Sequence, residues 1–396
     1  MGSKTNRTAI FGLGYFGYFH LKNVVTLGHF NYGIDINPEK KKLVENFGGK
    51  FLSVDLTKAI EIKRDENGNP ITHKIKKNLP EINELAKNTD VWDIVTPSSF
   101  HFPLMLLGLE LKKDIFVEKP PAEKVSEIEY ILKKIPKAKI GVDYIEMVHP
   151  VVLAIRDRML KEKIQPFFFF HHRSKDLRGK KRGLGGGEGS RIILDDLVHD
   201  LSEIGFFRKV FGKSSLTEDL LKIENVYIQT WNEIYFTDVK AKFTLLFKDG
   251  TKAEIEGSFA DPEIRQFLII DKTKEIAFYG NTLTREKIKP IAAKIIGKKN
   301  IEYLKQKIKE MEITDDKIQK EILKKINAEI LKKEMQKYNP NQLFVMLKNF
   351  YQAKSKKDLI CSLEQALEYQ KIAEEVYKKA GKIKAMEFKI STLDKK

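Results

Sequence analysis

Short apolar runs at residues 8–11, 31–36, 92–96, 114–117 and 139–142 read as strands, and several of the stretches between them carry apolar residues at helical spacing. Strands that alternate with helices predict βαβ units and a doubly wound parallel sheet, because each parallel strand needs a long crossover. After Pro150 the pattern changes. A helix at 151–162 leads into an apolar strand at 166–170, a glycine-rich loop at 179–189 and a helix from about residue 191. Further runs at 225–231, 239–247, 252–259, 265–270 and 275–279 follow with short breaks, Asp249-Gly250 supplying a turn signal, so a largely antiparallel sheet is expected. Residues 290–337 are lysine-rich, with Ile301, Leu304, Ile308 and Met311 forming one apolar stripe. A surface helical hairpin is the plain reading of that segment; a lid, an oligomer contact or a basic docking surface are the functional ones. A final helix at 362–379 presents Ala366, Tyr369, Ile372 and Val376 on one face, and Gly381 is placed to end it.

The chemistry starts at the first of these junctions. Ala9-Ile10-Phe11 runs into Gly12-Leu13-Gly14-Tyr15-Phe16-Gly17 and then a helical stretch. Gly12 permits a tight turn, Gly14 lets backbone approach a pyrophosphate, and Gly17 allows close packing of helix on sheet, while the helix N-terminus favours negative charge. Tyr15 and Phe16 lie inside the same turn and count with the cofactor site. Asp35 ends the second predicted strand, 18 residues after Gly17 (35 minus 17), where a carboxylate binds ribose hydroxyls. Its charge repels a 2′-phosphate, so NAD is expected; Lys40 and Lys41 keep NADP as the alternative. The first domain, residues 1–143, is therefore read as a Rossmann-type dinucleotide-binding domain. Residues 144–396 are read as a C-terminal α+β domain for substrate and oligomerisation, and the chain is α/β overall.

Composition narrows the classes. A length of 396 residues supports two cores. One cysteine, Cys361, forms no internal disulfide, and no cysteine-rich metal spacing occurs, so no metal and a cytoplasmic setting are expected. The apolar stretch 9–19 is broken by glycines, and no other run approaches the roughly 18 residues of a membrane span. The net charge of +17 comes from lysines spread along most of the chain; without a nucleic-acid motif it reads as a solvated surface, and it also favours an anionic cofactor.

The stretch Asp93-Ile94-Val95-Thr96-Pro97-Ser98-Ser99-Phe100-His101, followed by Asp114-Ile115-Phe116-Val117-Glu118-Lys119-Pro120, resembles the Gfo/Idh/MocA oxidoreductase family, which includes glucose-fructose oxidoreductases and inositol dehydrogenases. The resemblance implies that Thr96, Pro97 and His101 line the nicotinamide side of the cleft, with Glu118 at its floor and Lys119 facing substrate. A lysine just past a buried strand, at the carboxyl edge of a parallel sheet, also sits where doubly wound folds bind ligands. In the second domain, Gly185-Gly186-Gly187 followed by Asp195-Asp196-Leu197-Val198-His199 is similar to a family stretch. By that resemblance His199 exchanges a proton with the reacting hydroxyl and Asp195 orients substrate or tunes its surroundings. The pattern departs at Leu197, where many members have glycine, and at Ser202, often an aspartate. Tyr144 and His149, in a similar stretch at the domain junction, are implied as substrate contacts.

The resemblance implies a dehydrogenase or reductase acting on a CH–OH group, with a hydride passing between nicotinamide and a carbinol of a sugar, polyol or sugar derivative. Lys119, His199 and Asp195 are its catalytic candidates. A small-molecule substrate and a homo-oligomer formed through the C-terminal sheet are implied as partners, without membrane or nucleic acid. The other class of reading is a catalytically silent, cofactor-binding regulator or sensor of the same fold.

Overall fold

β1 (Thr8–Phe11) is buried at every position, as a strand covered on both faces must be. In the computed structural model, which describes residues 6–76, 79–175, 192–213, 215–231, 237–272, 277–281, 334–380 and 384–386, it lies at the centre of a parallel sheet. Helix α1 (Tyr15–Thr26) carries the chain to β2 (Phe30–Ile34), and α2 (Lys41–Asn46) to β3 (Lys50–Leu52). After α3 (Pro80–Asn88), β6 (Val91–Ile94) pairs with the other edge of β1; α4 (His101–Glu110) leads to β7 (Asp114–Glu118) and α5 (Val125–Lys134) to β8 (Ile140–Asp143). The order β3-β2-β1-β6-β7-β8, parallel throughout, reverses direction between β1 and β6. Carboxyl ends at that switch point are where such sheets bind ligands. Phe11 and Trp92, 4.5 Å apart at ring centres, fill the core there.

Two features of this sheet's surroundings were not anticipated. The hairpin β4 (Ile60–Arg64) and β5 (Pro70–Ile75) is tied to α5 by Arg64 to Glu127 (2.6 Å) and by His73 to the Tyr130 hydroxyl (2.9 Å). The helix Gln342–Gln352 returns late in the chain to put Phe350 against Gly141, where a Cβ would lie 2.8 Å from the ring. The chain forms two compact units: Met1–Ile145 with Leu343–Lys371, and Glu146–Gln342 with Ile372–Lys396. Residues 343–371, grouped at the sequence level with the second domain, thus pack with the first unit.

The second unit is a seven-stranded sheet of order β14-β13-β9-β12-β11-β10-β15. Its strands are β9 (Pro166–Ser174), β10 (Leu220–Trp231), β11 (Thr237–Phe247), β12 (Lys252–Ser258), β13 (Ile264–Asp271), β14 (Ala277–Asn281) and β15 (Lys384–Met386). Four pairings are antiparallel, and β9/β12 and β10/β15 are parallel, so the largely antiparallel expectation holds. Helix α6 (Pro150–Glu162) precedes β9. Helix α7 (Val198–Val210) follows a π-helical turn, Ile193–Leu197, and Phe207 packs on Phe169 and Phe267 of the sheet. β9 continues four residues past the predicted end at Phe170, carrying His171 and Arg173 into the core. The glycine-rich loop 179–189, the stripe Ile301 to Met311 and Gly381 lie outside the described residues. No described helix is long and apolar enough to cross a membrane.

Candidate cofactor and active site

Gly12 has φ +85°, and a Cβ there would lie 2.8 Å from Val95 O and 2.9 Å from Thr96 N, so the turn after β1 presses directly on the loop after β6. At Gly17 a Cβ would lie 1.9 Å from Gly12 O, which only glycine allows. Gly14 differs: φ is −71°, and nothing lies within 4 Å of a Cβ built there. The two outer glycines therefore shape the turn, and the middle one leaves its outer side open. Asp35 reaches this turn from the end of β2. Its Oδ2 accepts from Leu13 N at 2.6 Å and its Oδ1 from Asn37 N at 2.8 Å. No acidic residue occupies the first turn of α1, so the helix N-terminus keeps its partial positive charge. Tyr15 and Phe16 are exposed beside it, their rings edge to face at 5.4 Å. An open glycine, an uncompensated helix N-terminus and a fixed carboxylate at the switch point fit a dinucleotide.

At the adjacent strand ends, Lys119 is half-buried, its main-chain N–H donating to Glu118 Oε2 at 3.2 Å. The other oxygen, Oε1, meets His20 Nε2 at 3.2 Å, and His20 Nδ1 lies 3.0 Å from both oxygens of Asp93. His20 and Asp93 are completely buried. Burial opposes charge on His20, but the Asp93 and Glu118 carboxylates outweigh it and hold the ring well above the ordinary imidazole range. Asp93 is raised by burial, against the pull of His20. Asp143 Oδ2 stands 3.8 Å from His20 Nε2, so His20, Glu118 and Asp143 converge as a donor set that a divalent cation can use. The His101 ring is buried, with Nε2 2.7 Å from Thr96 O and Nδ1 2.8 Å from Pro120 O, so it ties two loops together. Burial pushes its pKa down, the two carbonyls opposing. Thr96 Oγ1 is buried without a hydrogen-bond partner, and Pro97 is exposed.

In the second unit, Asp195 is half-buried within the π-turn and His199 is buried in the first turn of α7, its carbonyl accepting from Ser202 Oγ at 2.7 Å. Leu197 finds its place because β12 has Gly257, whose Cβ would lie 2.5 Å from the Leu197 side chain. Asp200 faces the core, where Arg173 binds it (Nε to Oδ1, 3.1 Å) together with Glu146 (3.3 Å) and Glu203 (3.5 Å). His171 stacks on Phe267 and lies 3.6 Å from Asp200 and 3.5 Å from Glu203. Burial raises Glu203 well above the usual carboxylate range despite Arg173. His149 caps α6, its Nδ1 accepting from Val151 N at 3.2 Å, and burial lowers its pKa to about 4. The Tyr144 ring is completely buried in the first unit, edge-on to Tyr369 at 5.3 Å.

His20, Asp93, Arg173 and Glu203 were missed at the sequence level. The available signals were a histidine inside the stripe Gly17, His20, Leu21, Val24, and an aspartate within an otherwise apolar buried strand. A buried charge of that kind requires a partner.

Comparison with known proteins bears on both units. A search of curated proteins gave no match. Among solved structures, the chain is similar to a myo-inositol dehydrogenase from Corynebacterium glutamicum (15% identity, TM-score 0.63, covering 95% of this chain and 96% of that one). It is also similar to a UDP-N-acetylglucosamine 3-dehydrogenase from Acidithiobacillus ferrooxidans (14%, 0.60, 95% and 97%). An oxidoreductase from Agrobacterium radiobacter, solved with NAD+, L-tartaric acid and magnesium, matches at 13% identity and TM-score 0.60 over 95% and 96%. At these identities the likeness establishes the fold across nearly the whole chain. Residues 6–143 match the model of the oxidoreductase family with an NAD-binding Rossmann fold, and this domain therefore belongs to the Gfo/Idh/MocA family.

Proposed function

We propose that the protein is an NAD-dependent dehydrogenase or reductase that moves a hydride between the nicotinamide and a carbinol of a sugar, polyol or sugar derivative. The observation that carries this reading is the open glycine turn with Asp35 fixed beside it at the switch point of the parallel sheet. The sugar or polyol class is supported by the fold shared with inositol and UDP-N-acetylglucosamine dehydrogenases. When bound, the nicotinamide supplies the hydride chemistry. The chain's own residues bind, orient and move the proton. Asp35 faces the adenosine ribose and disfavours a 2′-phosphate, and the amino end of α1 holds the pyrophosphate. Lys119, at the carboxyl edge of the sheet, and His199, at the start of α7, are the groups that take the hydroxyl proton as a carbinol is oxidised or return it on reduction. Asp195, four residues before His199, orients the substrate.

Titration of the protein with NADH and NADPH, followed by nicotinamide fluorescence, tests this. NADH should bind the more tightly, and Asp35→Ala should weaken it by about ten- to a hundredfold, the value of a hydrogen bond to a charged group. Preference for NADPH would overturn the role of Asp35, and failure to bind either would overturn the enzyme reading. Turnover in a panel of sugars and polyols, lost in Lys119→Met with NADH binding retained, would then fix the reaction class.

A further inference from the structure

The loop that follows β7 begins at Lys119, and side chains from several elements grip its main chain. The Lys119 N–H donates to Glu118 Oε2 at 3.2 Å, the His101 ring lies 2.8 Å from Pro120 O, and Glu127 Oε2 accepts from the N–H groups of Glu123 and Lys124 at 3.2 and 3.3 Å. These partners come from β7 itself, α4 and α5. One further hold comes from 248 positions away: Gln370 Nε2, on the helix Leu363–Lys379, donates to Ala122 O at 2.9 Å. Both residues are completely buried. The helix is itself pinned in this place. Cys361 O, just before it, accepts from Val142 N at 3.1 Å, Tyr369 packs edge-on to Tyr144, and Lys371 reaches Glu129 of α5 at 2.7 Å. All of these residues lie in the first unit.

Stability alone gives little reason for an amide here. Gln370 Oε1 is buried and no described residue donates to it, so the side chain satisfies one acceptor while leaving another unsatisfied. An apolar residue of the same length would remove that orphan and leave Ala122 O without its donor, an exchange close to neutral for the fold. What would be lost is the hold on the loop. Between Lys119 and Ala122 stand Pro120 and Pro121, whose rings lock φ and leave that stretch little slack, so fixing the Ala122 carbonyl also restrains Lys119. Resting on the reading of Lys119 as a catalytic group, we propose that Gln370 is a positioning residue: its amide anchors the loop that carries Lys119 at the carboxyl edge of the sheet.

Two variants separate positioning from packing. Gln370→Met keeps the length and apolar bulk without a donor, and Gln370→His offers a ring N–H at similar reach. The first readout is the rate at which acetic anhydride labels Lys119 relative to the other lysines, measured by peptide mass spectrometry on the full chain, with NADH affinity and thermal melts in parallel. Gln370→Met should raise Lys119 labelling about fivefold, the value of one neutral hydrogen bond, because each opening of the loop exposes the half-buried lysine. Gln370→His should reverse most of that rise. NADH affinity should be unchanged in both, and the melting temperature of Gln370→Met should stay within about 3 °C of the parent. The second readout is turnover of a substrate found in the sugar and polyol panel: Gln370→Met should lower kcat by about the same factor and leave KM unchanged. Unchanged Lys119 labelling in Gln370→Met overturns the proposal. So does a rise that Gln370→His leaves in place, or one shared by all lysines of the first unit with a lowered melting temperature, since both describe packing alone. Wild-type protein that binds no NADH, or Lys119→Met that keeps its turnover, instead sinks the proposed function, while the labelling comparison still reports whether Gln370 holds the loop.

Discussion

Replacing Arg173 by Met should destabilise the second unit by about 3–5 kcal/mol, the cost of leaving a buried charge without its partner. Arg173 is 2% exposed and holds Asp200, Glu146 and Glu203 at 3.1, 3.3 and 3.5 Å. Two of these acids have other means of support. Glu203 is pushed toward its neutral form by burial, and Glu146 keeps Arg265 at 3.5 Å. Among the described residues Asp200 is left with His171, 3.6 Å away, so most of the cost falls on one carboxylate. Methionine preserves the aliphatic volume of the arginine stem, which keeps a cavity from dominating the result. The deficit should depend on pH. In the variant the folded state binds a proton that the unfolded chain has already released, so stability is regained at low pH and lost as the pH rises, by at most about 1.4 kcal/mol per unit. Urea unfolding followed by circular dichroism at pH 5 and pH 8 measures this, and hydrogen exchange in β9 and α7 peptides locates it. A variant within about 1 kcal/mol of the parent at both pH values would refute the reasoning, since a buried network that strong cannot vanish without cost.

The glycines should divide into two classes. Gly17→Ala, whose Cβ would lie 1.9 Å from Gly12 O, should cost more than about 2 kcal/mol of stability in thermal melts, whereas Gly14→Ala, at φ −71° with open space before it, should stay within about 0.5 kcal/mol and weaken NADH binding alone. His149 is held neutral with a pKa of about 4 against 6.5, so its contribution is fully present above pH 6.5 and is lost, to a limit of about 3 kcal/mol, as pH falls toward 4. His149→Asn keeps an acceptor for the Val151 N–H and removes the titration, so melts from pH 4.5 to 7.5 should show a flatter acid limb.

What could be read from the sequence followed from the rules that local patterns obey. The glycine turn is legible because backbone geometry restricts its two outer positions, Gly12 and Gly17, to glycine, and Asp35 because strand and helix lengths fix its distance from that turn. β4 and β5 were missed because their charged and apolar residues alternate on an exposed hairpin, with Ile71 54% exposed and no continuous apolar run. The helix Gln342–Gln352 was missed for another reason: its partners, Gly141 and Lys139, lie some two hundred positions earlier, and no local pattern encodes that contact.

The end of β9 shows where the patterning rule itself fails. Alternation treats a polar residue as a sign of solvent, so His171, His172, Arg173 and Ser174 read as the strand's exit. The structure keeps all four in the sheet, with His171 and Arg173 on the face that α7 covers. This is tolerable because the covering helix brings Asp200 and Glu203, three residues apart and so on one side of α7, down onto the same guanidinium. Each half looks misplaced by itself: a charged stretch within a strand, and acids on the inward side of a helix. Only the pairing makes them consistent, and it fixes α7 in register with the sheet one residue beyond His199. The same logic holds in the first unit, where His20 is an anomaly in α1 and Asp93 an anomaly in β6 until each is given the other. In both units the residues that defied patterning lie next to a proposed catalytic group. Buried charge is costly wherever it sits, and here it is concentrated beside the two groups proposed to be catalytic, Lys119 and His199.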